Sequence, residues 1–219
     1  MTVITISREF GSEGETIAEN IAQALGYHLV DKEFIVKVLD QYGLFGYDRE
    51  NEPKPGFWEK YSHQRDMMVN MLNQVVRAVA NHGNVVILGR SGYAILADFA
   101  DVLHVRFQAP LTVRVARVMA QQQIPMEQAE AVVKENDKVR LAFVEEFYRV
   151  PWGAAQSFDL VINTGKISPS LASNWVIEAA KAFTATAEFD KPTTAAIVVD
   201  SVLAATVSAG LECNQTHNL

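Results

Sequence analysis

Residues 7–16 read Ser-Arg-Glu-Phe-Gly-Ser-Glu-Gly-Glu-Thr, the first stretch in which residue type and spacing together could do chemistry. Gly11 and Gly14 follow a β-branched run and precede a helical pattern. Glycines so placed let backbone N–H groups turn toward an anion at a helix N-terminus, so a phosphate cradle is one reading. A tight strand-to-helix turn without a ligand fits the same spacing, and both readings stand. The dinucleotide fingerprint G-x-G-x-x-G does not occur here. Nor does a complete lysine-bearing phosphate loop. Aligned on the G-K-[ST] ending, Gly14-Glu15-Thr16 puts Glu15 where the lysine would stand and Glu9 where the first glycine would stand.

Ligands of open parallel sheets bind beyond the carboxyl ends of the strands, so the residues directly after each apolar run are the next candidates. Arg90 follows Val85-Val86-Ile87-Leu88-Gly89, which places a cation at a buried strand end. Asp31 follows residues 27–30, where it could face a ligand or cap the helix that comes next. Asp137 and Arg140, three apart on a helical pattern, fit a surface ion pair as well as a ligand-closing role. Arg149 belongs to the same region. Arg114 and Arg117 read as structural or surface residues, and none of the five histidines pairs with a nucleophile at a recognisable spacing.

The elements that must position these groups alternate along the chain. Short β-branched runs at 3–7, 27–30, 85–88, 103–107 and 160–162 are separated by helical patterns, which indicates βαβ units and a parallel sheet. Ile17, Ile21 and Leu25 recur on one face of the first helix, and Gly26 is placed to end it. Residues 43–56 carry Pro53, Pro55 and a mixed-charge run and read as an exposed loop, a candidate lid or substrate segment. A long helix is expected over 61–81, helices after Pro110 and from about 126, and another after Ser168. A further helix after Pro192 is expected to pack on the outside, over the domain or over a second subunit of a homodimer. The aromatic and Met residues Phe57, Trp58, Met67, Met68 and Met71 read as packing, and Trp152 as a marker of a lid hinge.

Taken in order, these stretches resemble the cytidylate kinase-like family. Residues 4–12 through Ile17-Ala18 resemble its opening, 27–32 its second strand with the acidic residue after it, and 86–90 its glycine-arginine strand end. Leu103-His104-Val105 with Arg114 and Arg117 is similar to its fourth strand and arginine-bearing helix. Residues 136–140 and 158–164 resemble its lid and last strand. The likeness spans roughly residues 2–182, and its weight lies in collinearity.

The resemblance implies an α/β fold of the P-loop NTPase type, three-layered, with a five-stranded parallel sheet. The kinase-like domain would cover 1–185 with a helical lid at about 126–157, and 186–219 would form a C-terminal extension. It also implies transfer of the ATP γ-phosphate to a nucleoside monophosphate, most often CMP or dCMP, with Mg²⁺ between the phosphates. Arg8, Gly11, Ser12, Gly14, Glu15 and Thr16 would hold the donor, with Thr16 reaching Mg²⁺. Asp31 and Arg90 would face the acceptor, and Arg140, Asp137 and Arg149 would close over the transferred group.

Two departures stand out. Glu15 replaces the loop cation, and Ser91 replaces the acidic residue that follows the family's glycine-arginine pair. Opposite unit charges about 4 Å apart attract by roughly 4 kcal/mol at a surface-like dielectric, so reversing one costs about twice that before relaxation. Arg8 swinging in, Mg²⁺ accepting Glu15 as a ligand, or Glu15 turning to solvent would each relieve it. The alternative reading is therefore a non-catalytic nucleotide-sensing or partner-binding protein.

Bulk properties narrow the remaining classes. A chain of 219 residues, 49% hydrophobic, is long enough to bury one sizeable core. A formal net charge of -7 argues against nucleic acid as a main partner. One cysteine, Cys213, leaves no disulfide framework, and the opening run lacks the basic flank of a signal peptide. The late apolar stretch 194–211 is broken by Asp200, Ser and Thr and makes a poor membrane span. A cytoplasmic protein without a membrane partner is the expectation.

Overall fold

The computed structural model describes residues 2–44, 62–186 and 191–215. The exposed loop expected at 43–56, together with Phe57 and Trp58, lies almost wholly outside them. Five strands, β1 (Val3–Arg8), β2 (His28–Val30), β3 (Val85–Leu88), β4 (Val102–Gln108) and β5 (Leu160–Asn163), form one parallel sheet in the order β2-β3-β1-β4-β5. Val3 of β1 is in register with Val85 on one side and Val102 on the other. Since β3 and β4 flank β1, the chain reverses its winding direction there, and the crevice such a reversal opens lies beyond the carboxyl end of β1.

The helices are α1 (Gly14–Leu25), α2 (Lys32–Gln41), α3 (Ser62–His82), α4 (Gly92–Ile95), α5 (Leu111–Gln122), α6 (Met126–Tyr148), α7 (Pro169–Thr186) and α8 (Ser201–Gln215). Strand periodicity of two divides the sheet side chains between its faces. Ile4, Ile6, Val86, Leu103, Val105 and Phe107 pack with Ile17 and Ile21 of α1 and Ala172 and Val176 of α7. Val3, Val85, Ile87 and Val102 face the other way, onto Leu72 and Val76 of α3 and Phe34 and Val38 of α2. The result is three layers, helix on sheet on helix.

Helix α8 differs from its expected outside position. Leu203, Val207 and Leu211, at i, i+4 and i+8, are buried in the same core as α2 and α3. Asp101 ties down the chain before it, accepting from Thr194 N and Thr194 Oγ1 at 2.7 Å each. Among the described residues no helix is long and apolar enough to cross a membrane.

The α3 face grows polar toward the carboxyl edge. After Val3 and Val102 come Thr5 and His104, whose Oγ1 and Nδ1 lie 2.7 Å apart, then Ser7 and Arg106. Burial pushes the His104 imidazole below its ordinary value, against the pull of Asp159, and burial with the nearby His82 ring does the same to His28. The unfolded chain therefore binds more protons than the folded one below the ordinary histidine value of about 6.5. Stability is expected to be highest above that value and to fall as pH drops through 6.5 toward 5, before most carboxylates titrate. Urea midpoints across pH 5–8 check this; a flat profile, or an unchanged slope in His104→Gln, would contradict it.

Candidate functional site

The site is built on the loop between β1 and α1. Gly11 has φ 79°, and a Cβ there would lie 3.0 Å from the Arg114 carbonyl oxygen, so the turn requires glycine on both counts. Ser12, fully buried, donates its hydroxyl to the Glu9 carbonyl at 2.8 Å. Glu13 enters α1 in the left-handed region without a side-chain cap.

Side chains from elsewhere hold the loop by its carbonyls. Arg140 NH1 donates to Arg8 O (3.3 Å), Arg114 NH1 to Phe10 O (3.1 Å), Arg117 NH1 to Gly11 O (3.3 Å) and Thr164 Oγ1 to Ser12 O (2.9 Å). A trans peptide unit points its C=O and the following N–H in opposite directions. With Phe10 O and Ser12 O tied toward α5 and β5, the N–H groups of Gly11 and Glu13 are directed away from them, next to the first-turn amides of α1, which have no partner within the helix. That is the arrangement an oxyanion needs.

The charges are balanced in a way the sequence does not disclose. Glu15, half-exposed, is bound by Arg8 Nε at 2.9 Å, so its charge is met by a neighbouring cation on the same loop. Burial alone would raise the Glu15 carboxyl. Arg8, the residue's own backbone N–H and the more distant Arg140 outweigh it and hold the carboxyl below the ordinary glutamate value. Glu13 pairs with Arg117 at 3.2 Å. Glu9 turns inward, accepting from Ala109 N (3.1 Å) and lying 3.3 Å from Arg114 Nε and 3.8 Å from Arg106 NH2. Arg8, Arg106, Arg114, Arg117 and Arg140 thus face Glu9, Glu13, Glu15 and Asp137, one cation more than anions.

Helix α6, the expected lid, is docked on this loop. Asp137 accepts from Phe10 N at 2.9 Å and from Arg114 NH1 at 2.6 Å, while the Arg140 guanidinium lies 5.4 Å from the Phe10 ring centre. Asp137 therefore serves as a bracket between lid and loop, a placement its spacing from Arg140 could not reveal. Arg149 ends α6 in the left-handed region, exposed, with no bond to the loop among the described residues. Thr16 stands exposed in the first turn of α1.

The acceptor candidates are placed by the strand ends. Asp31 caps α2, accepting from Phe34 N at 2.9 Å, the structural one of its two readings. Arg90 lies in a run of three left-handed residues, Gly89 (φ 76°), Arg90 (φ 51°) and Ser91 (φ 54°). Gly89 suits its left-handed conformation, and the space where its Cβ would stand is taken by the end of the Arg8 side chain. The run turns the chain sharply at the carboxyl end of β3, directly before α4.

Sequence reasoning missed Arg106 and underrated Arg114, Arg117 and Thr164. The one available signal for Arg106 was alternation: His104 and Arg106 are polar positions two apart in an otherwise apolar strand.

Comparison with known proteins bears on the family and the fold. The cytidylate kinase of Natronomonas pharaonis is 27% identical over 169 residues, covering 76% of this chain and 83% of that protein. The cytidylate kinase of Ignicoccus hospitalis is 28% identical over 170 residues, covering 77% and 93%. A crystal structure of an uncharacterized protein from Eubacterium ventriosum ATCC 27560 superposes with a TM-score of 0.66 at 21% identity, covering 83% of this chain and 99% of the other, which supports the fold. The five-stranded parallel sheet between two helical layers is the architecture that the resemblance implies. With residues 3–166 also matching its family model, the chain belongs to the cytidylate kinase-like family.

Proposed function

We propose that this protein transfers the γ-phosphoryl group of ATP to a nucleoside monophosphate, CMP or dCMP first among the candidates. The reading rests most on one observation: Phe10 O and Ser12 O of the β1–α1 loop are tied outward by Arg114 and Thr164, which turns the amides of Gly11 and Glu13 the other way, where an anion would come in.

Phosphoryl transfer asks a protein mainly for positioning and for positive charge around the transferring oxygens. The loop amides and the first turn of α1 would hold donor phosphates. The exposed Thr16 hydroxyl would hold Mg²⁺, which would supply positive charge to the donor phosphates. The residues present fit that group, because Arg8 already neutralises Glu15. Arg90 would hold the acceptor phosphate and Arg140 would close over the site, with Asp137 positioning the lid. Arg149 and Asp31 are second-rank candidates, since Arg149 is not at the loop and Asp31 is engaged as a cap. Isothermal titration with ATP and with CMP, each with and without Mg²⁺, followed by a transfer assay, tests the reading. Mg²⁺-dependent transfer to CMP upholds it, and absence of ATP binding sinks it.

A second reading, a nucleotide-binding protein without turnover, is favoured by Glu15 at the cation position and by Asp137 occupying the Phe10 amide. Glu15→Lys separates the two. If the Arg8 pair already neutralises Glu15, ATP affinity should rise by less than about tenfold; a gain of about a hundredfold, about 2.7 kcal/mol, would favour the non-catalytic reading.

A further inference from the structure

Arg106 is 3% exposed, the deepest of the arginines among the described residues, and it is not held as buried cations usually are. A buried guanidinium normally lies against a carboxylate that satisfies its fork. Here the carboxylate beside it, Glu9, is 3.8 Å from Arg106 NH2 and is bound more closely by Arg114 and Ala109 N. Arg106 Nε has no hydrogen-bond partner among the described residues. Burial accordingly works against the Arg106 charge, with Glu9 pulling the other way.

What Arg106 does hold is the chain that follows α6. NH1 donates to Trp152 O at 3.0 Å and to Ser7 Oγ at 3.2 Å, while the guanidinium carbon lies 4.4 Å from the Trp152 ring centre. Trp152 sits in a turn closed by Ala154 N donating to Pro151 O at 3.2 Å, so its carbonyl and its ring meet Arg106 together. The apolar part of the contact is a small cluster: Trp152 with Tyr93 and Val144, and Val150 and Phe158 partly buried beside them. The first half of α6 is fastened differently, by Ala129 and Val133 against Val115 and Val118 of α5.

The second half of α6 thus has a polar anchor at each end. Asp137 and Arg140 bond to Phe10 N and Arg8 O at one end, and Arg106 holds Trp152 just past the other. Because Arg106 is in register with Ser7, both anchors rest on residues 7–10, the end of β1 and the beginning of the glycine loop. Lifting the Trp152 turn breaks a hydrogen bond, a stack and a small apolar contact, but it also lets water reach the guanidinium and its unpartnered Nε–H, which offsets part of the loss. An apolar side chain of the same length would gain nothing on lifting and would hold the turn down harder.

We propose that Arg106 is a positioning residue, a releasable latch on Trp152 that sets the second half of α6 over the β1–α1 loop and lets it lift. That this lifting admits and releases nucleotide rests on the phosphoryl-transfer reading; the latch itself does not.

The test compares full-length wild type, Arg106→Ala and Arg106→Met by amide hydrogen exchange, and by acrylamide quenching of Trp152 in a Trp58→Phe, Trp175→Phe background. Arg106→Ala should speed exchange at residues 141–152 about tenfold and raise Trp152 quenching about threefold, with exchange in α1 and α3 unchanged. Arg106→Met, which keeps the length and covers the ring, should slow exchange at 141–152 about threefold. In a transfer assay Arg106→Ala should raise KM for ATP with kcat near wild type, and Arg106→Met should lower both, since release becomes harder. Should Arg106→Ala fail to fold, Arg106→Met decides. Exchange at 141–152 that is unchanged in Arg106→Ala, or accelerated equally in every helix, overturns the latch, as does exchange in Arg106→Met that is unchanged or faster. The expected exchange pattern in a protein that transfers no phosphate would keep the latch and remove the kinase reading; transfer with unaltered exchange would do the reverse.

Discussion

Arg114→Ala is expected to lower the unfolding free energy by about 3–5 kcal/mol, a large part of what a domain of this size possesses. Arg114, 7% exposed, donates to Ala109 O at 2.9 Å and Phe10 O at 3.1 Å and pairs with Glu9 and Asp137. Deleting it leaves two partly buried carboxylates without their shared cation and frees the loop and the lid together. Arg114→Lys should recover little, because a point charge cannot replace a planar fork that bonds in several directions at once. Urea denaturation checks both variants. A loss under about 1 kcal/mol in Arg114→Ala would mean the network is relaxed by water and does not hold the loop.

Arg90→Gly is expected to reduce phosphoryl transfer by about 10²–10³-fold, the usual effect of deleting one charge-stabilising donor, while changing stability by no more than about 1 kcal/mol. The choice of glycine follows from the backbone. Arg90 has φ 51°, a conformation in which an L side chain costs roughly 1–2 kcal/mol and glycine does not. The substitution therefore removes the guanidinium while easing the turn that carries it. A merely structural arginine would show the opposite pattern, lost stability with activity retained. Intact transfer in Arg90→Gly would remove Arg90 from the site.

Much of the fold was legible because its signals are local. Ile17, Ile21 and Leu25 mark α1 by period, Gly26 ends it in the left-handed region as expected, and the apolar run 85–88 is β3 to the residue. The order of these stretches sufficed for the family. The placement of α8 was less legible. Leu203, Val207 and Leu211 form an apolar stripe, but a stripe does not state which surface it will cover.

The candidate site divides along the same line. By itself the sequence determined that a glycine loop meets a helix after the first strand, that Arg90 ends a buried strand, and that the loop carries Glu9, Glu13 and Glu15. Only the tertiary structure decided what those charges amount to. Glu15 meets Arg8 seven residues away, but Glu9 meets Arg114 and Arg106, and Asp137 meets Phe10 N, across roughly a hundred residues of chain. Coulomb energy depends on distance in space and on burial, neither of which is a property of spacing along the chain. A run of acidic residues that reads as hostile to phosphate is, once folded, the set of counterions that holds four arginines around the loop.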